Sequence, residues 1–310
     1  METAPSPGEN ETGNELSTLA DYVRWAASRF GRAKLHFGHG TDNAVDEALQ
    51  LVAHGLDLSL PLPPEFFFAR LTAPEKASLE WLIERRIRER RPAAYLTGQA
   101  WFAGLSFAVD ERVLVPRSPI AELIESRFEP WIDPDRVHRI LDLCTGSGCI
   151  GIACAHHLPW ARVDLTDISG DALEVAESNI RRHGLSGRVR AIRADVFDGL
   201  GDERYDIIVS NPPYVAHAEY DSLPQEYAHE PEIGLVAADE GLAVVKRIVD
   251  GAAQRLEPGG ILVVEVGSSE AAAAEAFSAF PLAWLDFERG GGGVFLLSRD
   301  DLTGSGSIAE

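Results

Sequence analysis

Short apolar runs alternate with helix-like segments from Arg139 almost to the end of the chain, and this alternation limits the possible folds more than any other feature. Five of the runs are almost continuously apolar, and they read RILDLC, RVDLTDI, VRAIRADV, YDIIVSN and GILVVEVG. Strands buried on both faces have this composition, and they occur in parallel sheets with helices packed on each side. Two last runs, AWLDFER and GVFLLSR, are separated by glycines at 290–293 and predict a closing antiparallel hairpin. We therefore expect an α/β domain with a Rossmann-like, seven-stranded, mostly parallel sheet whose last strand is antiparallel.

The chain before this domain is helical in pattern between residues 16 and 92. Capping residues predict helix starts near Thr18, Asp42 and Thr72, each followed by apolar residues at helical spacing. The segment AWFAGLSFAV then reads as two short strands that turn at Gly104. A small helical domain joined to the α/β domain by a β-hairpin is therefore expected.

The two ends of the chain lack the pattern of packed structure. The first residues, METAPSPGENETGNE, have neither a basic start nor an apolar core, so they do not resemble a signal peptide, and their composition is typical of disorder. We accordingly divide the chain into a disordered tail at 1–15, a helical domain at 16–92, a β-hairpin linker at 93–117, the α/β domain at 118–300 and a flexible tail at 301–310.

Charge and composition narrow the possible partners. The chain has 310 residues, a net charge of −21 and a pI of about 4.8. So acidic a chain is not expected to bind nucleic acid, including DNA, through a broad phosphate-facing surface, whereas a basic protein would be attracted; solubility alone is the alternative explanation. No stretch is long and apolar enough to span a membrane, so a cytoplasmic protein is expected.

The cysteines indicate neither a disulfide framework nor a metal site. There are three of them, Cys144, Cys149 and Cys154, with no CxxC pair and no histidine in a zinc-binding pattern. We interpret them as small buried residues and expect no metal.

A glycine-rich stretch, LDLCTGSGCIG, ends the first predicted parallel strand and begins a helix. Gly146 and Gly148 allow a tight turn and a close ligand, and the helix N-terminus beyond them favours an anionic group. With Gly151 they also satisfy the dinucleotide pattern GxGxxG, and Asp167, at the end of the next strand, could hold ribose hydroxyls in either case. The loop alone therefore leaves the identity of a nucleotide-like cofactor open, and a simple strand-to-helix turn is the structural alternative.

Further acidic residues favour one cofactor. Asp142 lies four residues before the first glycine, which gives D-x-x-x-G-x-G and resembles methyltransferases that bind S-adenosylmethionine. Asp195 ends the third strand, where it could meet an adenine amino group while Val196 packs against the ring. Loop capping is the alternative role for each acid. The predicted cofactor-binding set is Asp142, Cys144, Thr145, Gly146, Gly148, Asp167, Ile168, Asp195, Val196 and Asn211.

The stretch SNPPYV directly follows the fourth strand, YDIIV. Two prolines remove backbone donors and stiffen the turn, and they push Asn211 toward an extended backbone. The Asn211 side-chain oxygen and the Pro212 carbonyl could each accept one hydrogen of a primary amide or amine, which turns the nitrogen lone pair toward a transferable methyl group. Pro213 keeps these acceptors in place and Tyr214 offers a flat wall to a planar substrate. A plain turn is the alternative reading.

These motifs together resemble the HemK-type protein-(glutamine-N5) methyltransferase family. DLCTGSGCIG, NPPYV and the helical front domain carry the resemblance, which covers about Leu16 to Arg299. It implies a class I methyltransferase domain, S-adenosylmethionine as cofactor, and methylation of a glutamine side-chain nitrogen in a protein. AWFAGLSFAVDERVLVPRSPI and LPQEYAHEPEIGL are most similar to the PrmB subgroup, which acts on the third large-subunit ribosomal protein. The release-factor subgroup typically has RPDTE where this chain has RSPI.

The resemblance also suggests which residues meet the substrate. The segment at 215–239 shows little regular pattern, and loops of this length are often lids or recognition elements. We predict substrate contacts at Arg117, Tyr214, Tyr220, Tyr227 and Glu230, with surface filler as the alternative for each. The basic cluster ERRIRERR in the helical domain reads either as a solvated helix face or as a contact for ribosomal RNA or an acidic partner.

Several functions therefore remain in competition on sequence grounds. The favoured one is methylation of a ribosomal protein, either free or in an assembling large subunit, with the helical domain recognising the substrate. A release-factor glutamine methyltransferase or a DNA or RNA amino-methyltransferase shares the generic motifs. A nicotinamide-dependent oxidoreductase explains GxGxxG but not NPPY, and a non-catalytic ribosome-assembly partner explains neither motif.

Overall fold

A computed structural model of the chain describes residues 15–304. The predicted tails therefore lie outside the described residues, apart from Glu15 and residues 301–304, which belong to the last helix. The chain divides into two compact units, Met1–Gly98 and Gln99–Glu310. Among the described residues, no helix combines the length and the apolar character needed to cross a membrane.

The first unit is helical, as the sequence predicts. Its helices are α1 (Leu19–Arg32), α2 (Ala44–Gly55), α3 (Ala73–Glu89) and α4 (Ala93–Thr97), with a 3-10 turn at Pro64–Phe68. Thr18 and Asp21 form the reciprocal capping box expected at the start of α1, and Asn43 caps α2 through its side-chain oxygen. The apolar faces of the helices bury Tyr22, Phe30 and their neighbours in one core.

The basic cluster at the end of α3 is only partly the solvated helix face that we predicted, because Arg88 is exposed but Arg86 is not. Arg86 is fully buried, and its Nε donates to Glu47 Oε1 at 2.7 Å while its Nη2 donates to the carbonyl of His36 at 3.0 Å. Arg85 instead pairs with Glu89 at 3.0 Å on the same helix. Arg86 is therefore a structural residue of the helical unit and is not available to an RNA.

The hairpin belongs to the second unit. Its strands are β1 (Gln99–Phe102) and β2 (Leu105–Ala108), which pair antiparallel across Ala103 and Gly104. Asn179 fixes the hairpin, because its Oδ1 accepts from the Ala108 N–H at 2.8 Å and its Nδ2 donates to the Ala108 carbonyl at 3.0 Å. The segment predicted as a linker, 93–117, thus contains a short helix and a hairpin tied to the α/β unit.

The central sheet has seven strands, which are β3 (Arg139–Leu143), β4 (Arg162–Asp167), β5 (Val189–Arg193), β6 (Tyr205–Ser210), β9 (Leu256–Glu265), β10 (Ala283–Trp284) and β11 (Val294–Ser298). Their order across the sheet is β10-β11-β9-β6-β3-β4-β5. β11 runs antiparallel to both of its neighbours, and the other pairings are parallel. The predicted α/β fold is confirmed, although the run AWLDFER contributes only two residues to β10.

Helices cover the sheet. They are α5 (Ile120–Glu125), α6 (Cys149–His157), α7 (Gly170–Arg182), α10 (Ala243–Arg255), α11 (Glu270–Ala276) and α12 (Arg299–Gly304). Leu141, Ile208 and Leu262 of three adjacent strands are fully buried, as their nearly continuous apolar runs require. Strand order reverses at β3, which has β4 on one side and β6 on the other, and ligands of such sheets bind at the carboxyl ends beside this point.

The segment after β6 contains more structure than predicted. A short strand β7 (Val215–Ala216) pairs in parallel with β8 (Val236–Ala237), so both ends of the 215–239 segment are held together. Between them lie α8 (His217–Tyr220), a 3-10 turn at Gln225–His229 and α9 (Glu232–Leu235). The sequence of this segment shows little regular pattern because elements of two to five residues are too short to produce a periodicity.

Candidate active site

A cavity of about 600 Å³ lies at the carboxyl ends of the central strands. Thirteen of the residues predicted from the sequence line it: Arg117, Cys144, Thr145, Gly146, Asp167, Ile168, Asp195, Val196, Asn211, Pro212, Pro213, Tyr214 and Tyr227. Four predicted residues are not part of its lining: Asp142, Gly148, Tyr220 and Glu230. The structure thus brings the glycine loop, the acidic residues Asp167 and Asp195 and the NPPY segment to one cavity.

Asp142 supports the glycine loop from beneath. Its side chain is fully buried, and its Oδ2 accepts from the Thr145 hydroxyl at 2.5 Å and from the Gly151 N–H at 2.9 Å. Burial raises the pKa of Asp142 to about 7, although both hydrogen bonds oppose the rise. Its Oδ1 is buried and has no hydrogen-bond partner within the described part of the chain. A buried acceptor without a partner is ready for one more donor, direct or through water.

Asp167 holds the mouth of the same loop. It ends β4, and its two carboxylate oxygens accept from the N–H groups of Gly146 and Ser169, each at 2.9 Å. Burial raises the pKa of Asp167, although these hydrogen bonds oppose the rise. Each carboxylate oxygen can accept a further hydrogen bond, and Asp167 lines the cavity. It could therefore accept from two hydroxyl groups of a ligand there.

Asp195 has a partner that sequence reasoning missed. Arg247 of α10 donates through Nη1 to Asp195 Oδ1 at 2.7 Å and through Nη2 to the Asp195 carbonyl, and both residues line the cavity. No motif marks Arg247, because it lies within an ordinary amphipathic helix. Cys144 and Val196, which follow β3 and β5, have φ of 57° and 56°. This left-handed backbone is uncommon outside glycine and rarer still for a β-branched residue such as Val196.

The NPPY segment leaves β6 between two neighbouring strands. Ser210 pairs with Leu143 of β3 on one side and with Val264 of β9 on the other, so Asn211 begins at the switch point of the sheet. Tyr214 is held at both ends: its hydroxyl donates to Glu265 Oε1 at 3.2 Å, and its carbonyl accepts from the Ser269 hydroxyl at 2.8 Å.

The Tyr214 ring packs directly on the backbone of Gly267. A Cβ added to Gly267 would lie 2.5 Å from Tyr214 Cε2, so the glycine is needed for this close approach. Burial raises the pKa of the Tyr214 hydroxyl, and the neighbouring Glu265 charge raises it further. Tyr214 is therefore a fixed, neutral wall of the cavity.

Glu265 is a second residue that sequence reasoning missed. It is the last residue of β9, is only 3% exposed, and accepts from the Ser118 hydroxyl at 2.5 Å as well as from Tyr214. Burial raises the pKa of Glu265 to about 7, while hydrogen bonds from Ser118, Tyr214 and the Asn211 side chain and the charge of Arg117 lower it. Strand register brings this carboxylate beside the NPPY segment, and no sequence motif marks it.

The predicted substrate contacts have different surroundings. Arg117 forms two hydrogen bonds of 2.6 Å with the carboxylate of Glu230, and its guanidinium lies 5.3 Å from the Tyr227 ring centroid. The Glu230 side chain is fully buried and also accepts from the Val115 N–H at 3.0 Å. Glu230 therefore has a structural role, because its carboxylate binds Arg117 and Val115. Tyr220 is half-buried in α8 and away from the cavity lining.

The arrangement fits S-adenosylmethionine in size and in chemistry. A cavity of about 600 Å³ is in the range of cofactor sites. The carboxylates of Asp167 and Asp195 at two strand ends can accept from hydroxyl and amino groups, and Oδ1 of Asp142, which has no partner among residues 15–304, can accept one bond more. No group of three or more acidic, histidine or cysteine residues able to hold a metal ion occurs among residues 15–304. This fold, with a glycine loop and NPPY at adjacent strand ends, defines a methyltransferase of the class that generally uses this cofactor.

Comparisons with known proteins agree. The family model named Methyltransferase small domain matches residues 128–228. The ribosomal protein uL3 glutamine methyltransferase of Xanthomonas campestris is 50% identical over 299 residues, which are 96% of this chain and 96% of the relative. The protein of the same name from Xylella fastidiosa is 52% identical over 93% of this chain and 92% of its own length. The solved structure of a Pyrococcus furiosus methyltransferase aligns with a TM-score of 0.46 and 18% identity, over 63% of this chain and 89% of its own. The chain belongs to the family of ribosomal protein uL3 glutamine methyltransferases.

Proposed function

We propose that this protein transfers the methyl group of S-adenosylmethionine to the side-chain amide nitrogen of a glutamine in ribosomal protein uL3. The observation that carries the proposal is the position of Asn211 and Pro212, which line the cavity directly beside the glycine loop on β3. The names of relatives about half identical over almost the whole chain support the substrate.

The acidic strand ends would hold the cofactor. Asp167 would accept from the ribose hydroxyls, Asp195 from the adenine amino group, and Val196 would pack on the ring. Asp142 would act on the amino group of the methionine part through its free Oδ1, directly or through water. Bound in this way, S-adenosylmethionine supplies an electrophilic methyl group on a positively charged sulfur.

The NPPY segment would orient the acceptor. An amide nitrogen is a poor nucleophile because its lone pair is delocalised into the carbonyl group. The Asn211 side-chain oxygen and the Pro212 carbonyl would each accept one hydrogen of the glutamine amide, which turns the lone pair toward the methyl group as positive charge develops. The two prolines hold these acceptors rigid, and Tyr214 forms a flat wall for the planar amide. The methylated nitrogen is strongly acidic and loses one proton to water.

The charge of the chain suits a basic protein substrate. A net charge of −21 would draw a basic ribosomal protein toward the site and would repel exposed RNA or DNA. We infer that the helical domain at 16–92 contributes to recognition, and that the reaction takes place in the cytoplasm on uL3, free or in an assembling large subunit. A contact with ribosomal RNA would have to use exposed guanidiniums such as Arg88, because Arg86 is buried.

Mass spectrometry of the substrate tests the proposal. Purified protein is incubated with uL3 and with S-adenosylmethionine carrying a deuterated methyl group, and a release factor is offered in a parallel reaction. One labelled methyl group on a single glutamine of uL3, with none on the release factor, is the expected result. Label on the release factor alone, or on nucleic acid in a nuclease-sensitive form, would overturn the assignment.

A further inference from the structure

The carboxylate of Glu265 accepts hydrogen bonds from several side chains in and around the NPPY segment. Its Oε2 accepts from the Ser118 hydroxyl at 2.5 Å and its Oε1 from the Tyr214 hydroxyl at 3.2 Å. The Asn211 side chain lies beside this carboxylate and lowers its pKa. The contact follows from the strand register, because Ser210 pairs with Val264 and the next residues of the two strands are Asn211 and Glu265. Residues from two separate segments, the one at Ser118 and the NPPY segment, therefore meet on one carboxylate.

The acceptor-only character of a carboxylate has a consequence for Asn211. An ionised carboxylate offers no hydrogen, so a side-chain amide that bonds to it must present its NH₂ group. The amide oxygen of Asn211 then points the opposite way. Without such a partner an asparagine can turn its amide over and exchange the positions of its oxygen and nitrogen.

We propose that Glu265 is a positioning residue for methyl transfer: it binds the NH₂ group of Asn211 and so directs the Asn211 oxygen into the cavity, where the glutamine amide is to be held. The inference rests on the proposed function, because it concerns the acceptor that the proposed reaction needs. Glu265 itself is not part of the cavity lining, so it acts through Asn211 and not on the substrate.

Ser118 completes this arrangement from a distant part of the chain. It lies 147 residues before Glu265 and follows Arg117, which binds Glu230. The Ser118 hydroxyl donates to Glu265 and so favours the ionised form of the carboxylate, which Asn211 requires. The adjacent residues Arg117 and Ser118 therefore fix Glu230 and Glu265, respectively, at the substrate end of the cavity.

A double-mutant cycle tests the inference. Glu265→Gln keeps the shape of the side chain but gives it a donor, so it removes the constraint on Asn211. We expect the turnover rate to fall about tenfold or more, with the affinity for S-adenosylhomocysteine changed less than about threefold. Because Glu265 acts through Asn211, the variant carrying both Asn211→Ala and Glu265→Gln should be no slower than Asn211→Ala alone. Glu257→Gln, at the other end of β9, is the matched control and should keep the wild-type rate.

A measurement without turnover separates this inference from the proposed function. The side-chain amide resonances of Asn211, assigned by their loss in Asn211→Ala, should shift in Glu265→Gln and stay in place in Glu257→Gln. A wild-type rate in Glu265→Gln, multiplicative losses in the double variant, or unmoved Asn211 resonances would each overturn the inference. If the wild-type protein methylates no glutamine, the proposed function fails, and the resonances alone decide the role of Glu265.

Discussion

Arg117 and Glu230, 113 residues apart in the sequence, join through two parallel hydrogen bonds of 2.6 Å each. Such a bidentate pair fixes direction as well as distance. It ties the segment before α5 to the segment after NPPY, and Arg117 also lines the cavity. Burial alone would lower the pKa of Arg117, but the bonds and charge of Glu230 raise it, so the guanidinium stays charged. The pair therefore shapes the part of the cavity that Arg117 lines.

Removing Arg117 should destabilise the α/β unit. The variant Arg117→Ala leaves the carboxylate of Glu230, whose side chain is fully buried, without its counter-charge, so we expect a loss of about 3 kcal/mol in the free energy of unfolding. Urea denaturation measures the loss. Arg181→Ala breaks an exposed pair at 3.5 Å and should cost less than about 0.5 kcal/mol. Equal losses in the two variants would contradict a structural role for the Arg117–Glu230 pair.

Asn211→Ala should abolish orientation of the substrate amide while leaving the cofactor site intact. We expect the rate of glutamine methylation to fall by about 100-fold or more, as when one oriented hydrogen-bond partner is removed from an active site. Binding of S-adenosylhomocysteine, followed by calorimetry, should change little, because the acidic strand ends remain. Ser222→Ala, in an exposed turn of the following segment, serves as the control and should react at the wild-type rate. Full activity in Asn211→Ala would remove Asn211 from the mechanism.

Much of the α/β fold follows from hydrophobic patterning. Nearly continuous apolar runs predicted the parallel strands, and the meeting of the first and fourth predicted strands at the switch point is observed as the pairing of β3 with β6. The capping residue Thr18 predicted the start of α1 to the residue. The parallel pair β7–β8 was not predictable, because each strand has two residues and is stabilised by neighbours distant in sequence.

Only part of the candidate site could be predicted from the sequence, for a related reason. Motifs identify residues that lie close together in sequence, such as the glycine loop and NPPY. Glu265, Ser118 and Arg247 belong to the site through strand register and helix packing, which a single sequence does not display. Arg86 shows the opposite error: a run of basic residues appears exposed, yet helix geometry turns one of them into the core.

Gly151→Ala should damage the glycine loop through sterics alone. A Cβ at this position would lie 2.1 Å from Leu165 Cδ2 and 3.1 Å from the Asp142 carboxylate, in a fully packed region. We expect a loss of about 1–3 kcal/mol in the free energy of unfolding and weaker binding of S-adenosylhomocysteine. Gly170→Ala is a matched control at a helix start, since no atom lies within 4 Å of its added Cβ, and it should be neutral or slightly stabilising. A Gly151→Ala protein as stable as Gly170→Ala would contradict the tight packing beneath the loop.

Stability and activity should respond to pH in opposite directions, because Glu265 has a pKa of about 7 in the folded chain against an ordinary value of 4.5. Between these values the folded state holds a proton that the unfolded state has released, so the free energy of unfolding falls as pH rises through this window. Glu265→Gln removes the penalty of the buried charge, and above pH 7 it should therefore be more stable than the wild type by about 1–3 kcal/mol. Methyl transfer needs the ionised carboxylate, so the wild-type rate should rise over the same window. Thermal denaturation and turnover, each measured from pH 5 to pH 8, check both trends, with Glu257→Gln expected to follow the wild type. A Glu265→Gln protein that is both less stable and less active above pH 7 would mean that Glu265 serves the fold and not the orientation of Asn211.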